Sequence, residues 1–150
     1  MRKHVVLAVL ALAFSLIILT QLVVTQVSAT VIQASVNVDP DSLLLKEEGY
    51  GKWMTAYIRL PEGFDVSSID ASSIIIEVIG VSISVEKHSI QGNTLIVKFD
   101  REYVVSLLWS MTAHMSPHAK QEVTFEIKGQ LHDGNGFEGS DTVRVFFTQM

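Results

Sequence analysis

The 150 residues suffice for one domain with a hydrophobic core, and contents of 48% hydrophobic and 18% charged residues exclude a disordered chain. A net charge of −5 argues against nucleic-acid binding, because that function requires a basic surface. The chain has no cysteine, which excludes a disulfide scaffold, thiolate metal sites and cysteine nucleophiles.

The first 29 residues have the pattern of an export signal. The basic residues Arg2–His4 precede an uninterrupted stretch of apolar or small residues, Val5–Leu19. The small residues Val27 and Ala29 fit a signal-peptidase site that ends at Ala29. These features predict a signal peptide at residues 1–29.

An uncleaved membrane anchor is the alternative for the same segment. No charge occurs between His4 and Asp39, so residues 5–27 offer the roughly 20 residues that a bilayer span needs. Polar residues in the second half of the segment favour cleavage. Both interpretations place the remaining domain, residues 30–150, outside the cytoplasm. The domain is secreted if the segment is cleaved, and it is anchored if the segment spans the membrane with the basic N-terminus of the chain in the cytoplasm.

Period-two alternation of apolar and polar residues dominates the chain after residue 30, as is typical of half-buried strands. The turn residues Asp39–Ser42 and the hairpin signal Asp133–Gly136 separate some of these stretches. Strands are predicted at residues 32–38, 52–60, 73–79, 81–85, 94–99, 123–131 and 142–147.

One helix interrupts the strands. Val104, Leu107 and Leu108 follow Asp100 at helical spacing, and Asp100 is a suitable N-cap. The pattern predicts a helix of two or three turns, followed by a loop at Ser110–His118. The fold expected is an all-β, antiparallel two-sheet Ig-like sandwich of about seven strands with one short helix, preceded by an N-terminal hydrophobic helix.

Three blocks of sequence resemble a module of archaeal and bacterial surface proteins. They are Val36–Ile74, which contains GKWMTAYIRLPEGFDVSSID, then LIVKFDR at Leu95–Arg101, and GQLHDGNGFEGSDTVRV at Gly129–Val145. The module typically reads DPDTLNL, GKWVTxYIELPEGYDVxxID, LMVKFDR and GxLxDGTxFEGSDTIRV in this order. The resemblance implies an exported β-sandwich without a known catalytic activity. Many members have an acidic calcium-binding type of loop where this chain has Glu86–Asn93, so no calcium site is carried over.

The oxygen-bearing residues Asp133, Asn135, Glu138 and Asp141 are weak candidates for calcium ligands. Calcium takes six or more oxygens, but the spacing of these residues does not match an EF-hand. A glycine-rich hairpin turn explains the same residues. His114 and His118 are four residues apart, but Pro117 interrupts the helix that a zinc pair would need, and His132 is distant in sequence. No metal or cofactor is therefore predicted.

Trp53 and Tyr57 occupy alternate positions of one predicted strand and are candidates for stacking on a ligand such as a sugar. They also suit a purely structural role on the surface of a sheet. The sequence contains no nucleophile elbow, phosphate-binding loop or dinucleotide-binding motif. An enzyme is therefore not predicted.

The function expected is a non-catalytic structural, adhesive or interaction module at the cell surface. A carbohydrate- or calcium-binding module is the alternative, and a small secreted hydrolase would depend on scattered carboxylates alone. The expected partners are other surface proteins or a second copy, reached through the uncharged strand at Thr30–Val38, and the membrane if residues 5–27 remain attached. Pairing of that strand within its own chain is the favoured alternative.

Overall fold

The computed structural model describes residues 30–45, 51–111 and 120–147, so the predicted N-terminal helix lies outside the described residues. Ten strands and one α-helix, α1 (Arg101–Met111), are found in this part of the chain. A single 3-10 turn, Val66–Ser68, precedes the fifth strand. The strands are β1 (Val31–Gln33), β2 (Ser35–Asp39), β3 (Ser42–Leu45), β4 (Trp53–Arg59), β5 (Ile69–Val78), β6 (Val81–Ser84), β7 (Lys87–Gln91), β8 (Thr94–Asp100), β9 (Lys120–Leu131) and β10 (Gly136–Phe147).

The strands form two sheets that enclose one core. Sheet A has the order β1-β10-β9-β5-β6, with β3 also paired to β10, and sheet B has the order β2-β4-β8-β7. Phe99 of sheet B contacts Phe125 of sheet A, with 6.2 Å between the ring centroids. The prediction of an all-β, sandwich-like architecture is confirmed.

Alternation predicted the buried faces of the central strands correctly. Met54, Ala56 and Ile58 of β4 are fully buried, while the alternate residues Tyr57 and Arg59 are exposed. The same pattern holds in the neighbouring strand β8 and in β9, where the inward residues are Leu95, Val97 and Phe99, and Val123, Phe125 and Ile127. Burial of these side chains is the main contribution to stability, because each removes a large apolar area from water.

The prediction of a purely antiparallel fold is wrong at the N-terminus. The segment predicted as one strand at residues 32–38 divides at Ala34 into β1, which pairs with β10, and β2, which pairs with β4. Both β1 and β3 run parallel to β10. The segment therefore pairs within its own chain, and it changes sheet where the Ala34 N–H donates to the carbonyl oxygen of Glu138 over 2.7 Å.

The predicted number of about seven strands is too low, because one predicted strand divides into β1 and β2, and because β3 and β7 were not recognised. Ser42, assigned to a turn, begins β3, which continues through three leucines. Strand β7 has no buried residue, so its sequence shows no alternation of apolar and polar positions. It is an edge strand, and its side chains remain in solvent.

The helix forms where predicted and extends further than expected. The Asp100 carboxylate accepts a hydrogen bond from the Tyr103 N–H over 3.0 Å, as an N-cap does. Val104 and Leu108 are buried in the core. Ser110 and Met111 belong to the helix rather than to the predicted loop, and residues 112–119 lie outside the described part.

Tight turns connect the strands of two hairpins, β5–β6 and β9–β10. Ile79 and Gly80 link β5 to β6 with positive φ angles of 49° and 79°, the conformation of a two-residue hairpin turn. Gly134, with a φ angle of 89°, lies in the predicted turn between β9 and β10. Among the described residues, no helix is both long and apolar enough to cross a membrane.

Candidate functional site

The calcium candidates at the tip of the β9–β10 hairpin bind one another. The two carboxylate oxygens of Asp133 accept hydrogen bonds from the backbone N–H and the side-chain amide of Asn135, both over 2.9 Å. This is the Asx-type geometry that stabilises a turn. The side-chain nitrogen of Asn135 is a donor in this arrangement, and the Asp133 carboxylate accepts hydrogen bonds from its own loop.

The other two calcium candidates lie further along β10 and on opposite faces of it, because their positions differ by an odd number. Glu138 accepts a hydrogen bond from the Gln33 amide over 2.8 Å. Asp141 accepts hydrogen bonds from the backbone N–H groups of Val38, over 2.7 Å, and Thr142, over 2.8 Å. The four candidates do not converge on one point.

The described part of the chain contains no group of three or more histidine, aspartate or glutamate side chains suited to a metal ion. His132 is exposed, and its backbone N–H donates to the carbonyl oxygen of Ser68 over 2.8 Å. His114 and His118 lie outside the described residues.

The outer face of sheet B carries both aromatic candidates. Trp53 and Tyr57 occupy outward positions of β4, four residues and therefore about 13 Å apart along the strand. Tyr57 is 37% exposed and faces Ile96 of β8 on one side and Asn37 of β2 on the other. A shallow groove of about 370 Å³ lies beside its ring, lined by Ser35, Asn37, Tyr57 and Arg59.

Two cationic side chains lie against the Trp53 ring. The Lys52 and Lys87 ammonium groups lie 4.8 Å and 5.0 Å from the centroid of the Trp53 ring, within the range of cation–π attraction. A ligand that stacks on Trp53 must therefore compete with these lysines, whereas the half-exposed ring of Tyr57 is more accessible. We refer to Trp53, Tyr57, Arg59, Lys87 and Lys98, together with Lys52, as the aromatic–cationic face.

The position of each cation follows from strand register. Arg59 continues the outward row of β4, and its Nε donates to the Thr94 hydroxyl of β8 over 2.9 Å. Lys98 of β8 pairs with Lys87 of β7, so two like charges are neighbours. The outward positions of these strands also carry Asp39 and Asp100, and Asp100 caps α1. The face is thus mainly positive in a chain whose net charge is −5.

The outer face of sheet A has a different charge pattern. Lys128 of β9 bridges two carboxylates, Glu126 at 2.8 Å and Glu77 at 3.2 Å. Hydrogen bonds, first to Glu126 and then to Glu77, raise the pKa of Lys128 above its usual value of 10.5. Lys128 is thus paired with carboxylates, in contrast to the neighbouring lysines of sheet B.

Two carboxyl groups with lowered pKa values lie in the segment around the 3-10 turn. The backbone and side-chain hydrogen bonds of Ser67 lower the pKa of Asp65, and those of Ser72, chiefly from its hydroxyl, lower the pKa of Asp70. Both side chains cap local backbone. A lowered pKa keeps a carboxyl ionised, which suits an acceptor and is the opposite of what a general acid requires.

Sequence reasoning found Trp53 and Tyr57 but missed the cations beside them. Arg59 and Lys98 occur at polar positions of alternating strands, and this signal alone would have placed them outward. Lys87 is 34 positions from Trp53, and only strand pairing brings it to the ring. No protein-family model matches the chain, and no curated protein or solved structure shows significant similarity to it.

Proposed function

We propose that the chain is an exported, non-catalytic interaction module with an Ig-like sandwich fold, which binds a negatively charged partner through the aromatic–cationic face. The observation that carries the proposal is the exposed Tyr57 ring on the same outward sheet face as the cations Arg59, Lys98 and Lys87. An exposed aromatic ring provides contact area at low entropic cost, and arginine is enriched in interfaces. The export pattern of residues 1–29 supports a location at the cell surface.

The partner class that fits best is an acidic protein surface. The face is the outer surface of a four-stranded sheet, and the groove on it is shallow and open, which suits a macromolecular partner better than an enclosed small molecule. Lys87 and Lys98 are adjacent on neighbouring strands, so their mutual repulsion decreases when an anionic partner binds between them. Such binding should weaken with salt, because exposed charges are screened over about 10 Å at 0.1 M ionic strength.

Binding to envelope fractions from the source cells tests the proposal. The double variant Arg59→Gln with Lys98→Gln removes two cations from the aromatic–cationic face, and Lys120→Gln with Arg144→Gln removes the same residue types from sheet A. We expect the first variant, and Tyr57→Ala, to lose binding, while the second variant binds as the unsubstituted chain does. Equal binding by both double variants would contradict the proposal.

A carbohydrate ligand is the second candidate, and Trp53 and Tyr57 on one sheet face favour it. Treating the envelope fraction with protease or with periodate distinguishes the two. Loss of binding after protease alone supports the protein partner, and loss after periodate alone supports a glycan. Either conclusion holds only if the Tyr57→Ala variant also loses binding.

The surface location has its own test. Intact cells are treated with protease, and the recovered protein is sequenced from its N-terminus. We expect digestion without lysis, and an N-terminus at Thr30 if the segment is cleaved. Full-length protein that is protected in the cytosol would refute export.

A further inference from the structure

The N-terminal segment, residues 30–45, follows β10 along its whole length and in the same direction. β1 pairs in parallel with the beginning of β10, where Val31 is opposite Gly136 and Gln33 is opposite Glu138. β3 pairs in parallel with the end of β10, from Ser42 opposite Arg144 onward. Between them, β2 departs to sheet B and pairs with β4.

Hydrogen bonds continue along this contact even where the strand pairing is interrupted. The Gly136 N–H donates to the Thr30 carbonyl over 3.1 Å, and the Ala34 N–H donates to the Glu138 carbonyl over 2.7 Å. We refer to the contact between residues 30–45 and β10 as the terminal seam. The seam also includes the bonds from the Val38 N–H to the Asp141 carboxylate, 2.7 Å, from the Arg144 N–H to the Asp41 carbonyl, 3.0 Å, and from the Gln33 amide to the Glu138 carboxylate, 2.8 Å.

Apolar side chains fasten the same segment to the core. Ile32, Val38, Leu43 and Leu45 are each buried, so the segment cannot slide along β10 without exposing them. At Gly139 of β10 the two segments approach so closely that a Cβ would lie 2.5 Å from the Ala34 carbonyl oxygen and 2.6 Å from a methyl group of Val36.

We propose that this domain carries mechanical load between its two ends, with the terminal seam as the element that resists it. Residue 30 lies beside the start of β10, and residue 147 is at the opposite end of that strand. Tension applied at these two points pulls along the strand axis in opposite directions. The hydrogen bonds of the seam are then loaded together and in shear, so many must break in one step.

The same bonds are weaker against force in another direction. When force acts perpendicular to the strands, the bonds at a sheet edge are loaded one after another, and the strands separate in sequence. Resistance to force depends on the barrier to unfolding rather than on the equilibrium free energy. High resistance along this axis would suit a module that is tethered near residue 30 and pulled near residue 147. The origin of such a load rests on the proposed surface location, while the resistance itself does not. A partner bound to sheet B would not load the seam in this way.

Single-molecule pulling in two directions tests the proposal on the full chain in detergent. Because the chain has no cysteine, handles are added in pairs. Thr30→Cys with Thr148→Cys loads the seam along its axis. Asn37→Cys with Ser89→Cys pulls across sheet B, because Asn37, Tyr57, Ile96 and Ser89 form one row through the paired strands.

At equal loading rate, we expect the end-to-end unfolding force to be severalfold higher than the force across the sheet. Equal forces in the two directions, or a lower end-to-end force, would overturn the proposal. No partner is present in this measurement, so its failure leaves the proposed binding function untouched, and a failed binding experiment leaves the mechanical result untouched.

Two glycines of the same strand provide a matched pair of variants. Gly139→Ala places a methyl group against Ala34 and Val36 within the seam, whereas Gly136→Ala meets no atom closer than 3.9 Å. We expect Gly139→Ala to lower the end-to-end force and Gly136→Ala to preserve it. If Gly139→Ala folds and retains the full force, the seam does not bear the load. If it does not fold, the comparison of the two pulling directions decides alone.

Discussion

The carboxylate of Asp141 reaches from the middle of β10 to the backbone of β2, where it accepts the hydrogen bond of the Val38 N–H over 2.7 Å. Its second oxygen accepts the N–H of Thr142, so the side chain satisfies two backbone donors at the point where the sheets are bridged. Asp141 was a weak calcium candidate from sequence, but in the fold it connects sheet A to sheet B.

Replacing Asp141 by alanine should lower the free energy of unfolding by about 1.5–3 kcal/mol, the usual contribution of a hydrogen bond to a charged group. The Val38 donor is partly buried and would lose its partner. Urea unfolding measures the loss. Asp133→Ala removes a carboxylate that binds only its exposed turn, and should cost less. Equal losses in the two variants would show that the bridge to Val38 has no special role.

Calcium should not change the melting temperature. The candidate oxygens already accept protein hydrogen bonds, and Glu138 and Asp141 lie on opposite faces of β10. A ligand present at a hundred times its Kd would add about 2.7 kcal/mol of stability, which is readily detected. Scans in excess calcium and in chelator should therefore coincide. A rise of several degrees with calcium would require a site that these contacts do not provide.

Local patterns predicted the strands that bury every second residue, because alternation is a property of a few consecutive residues. Met54, Ala56 and Ile58 are the alternate apolar positions of one such stretch, and they are buried. Strand β7 could not be found in this way, since both of its faces are exposed at the sheet edge. Periodicity detects a buried face, not a strand as such.

Pairing between distant segments could not be derived from the same patterns. The parallel contact of β1 with β10 joins residues that are about 105 positions apart in the sequence. No local sequence pattern distinguishes a parallel from an antiparallel partner, because a strand with the same alternation of apolar and polar residues can pair in either direction. Of the two cations at the Trp53 ring, Lys52 is its neighbour in sequence, whereas only strand pairing brings Lys87 to it. Alternation could therefore place Arg59 and Lys98 on the outward face, but it could not place Lys87.

The turn residue Ile79 should be a source of strain. It has a φ angle of 49°, a left-handed conformation that costs roughly 1–2 kcal/mol for a residue with a side chain. Asparagine followed by glycine is the preferred pair in such a hairpin turn, so Ile79→Asn should raise the melting temperature. Ile90→Asn is the control, since Ile90 is an exposed isoleucine with ordinary backbone. A gain in both variants would point to exposed hydrophobicity rather than to turn geometry.

The pKa of Asp70 should rise when Ser72 is replaced by alanine. The Ser72 hydroxyl and its backbone N–H both donate to Asp70, at 2.6 Å and 3.0 Å, and hold its pKa below the usual 3.8. Because the folded pKa is lowered, the stability from this group is present above the unfolded pKa and is lost as the pH falls through the folded pKa. Ser72→Ala should reduce that acid-dependent loss. Carboxyl titration by NMR measures the change, and Asp65, whose pKa depends on Ser67, should titrate as before.

Gly129 and Phe137 form a cross-strand pair in which the ring occupies the space of a missing side chain. A Cβ on Gly129 would lie 2.6 Å and 2.9 Å from two carbons of the Phe137 ring, and Phe137 is only 2% exposed. Gly129→Ala should therefore destabilise the fold by about 1–3 kcal/mol, the usual cost of overpacking a core. Gly136→Ala, also in the β9–β10 hairpin, meets only atoms at 3.9 Å and should be neutral or slightly stabilising. Urea midpoints of the two variants measure the difference, and a Gly129→Ala protein as stable as Gly136→Ala would mean that the ring has room to move.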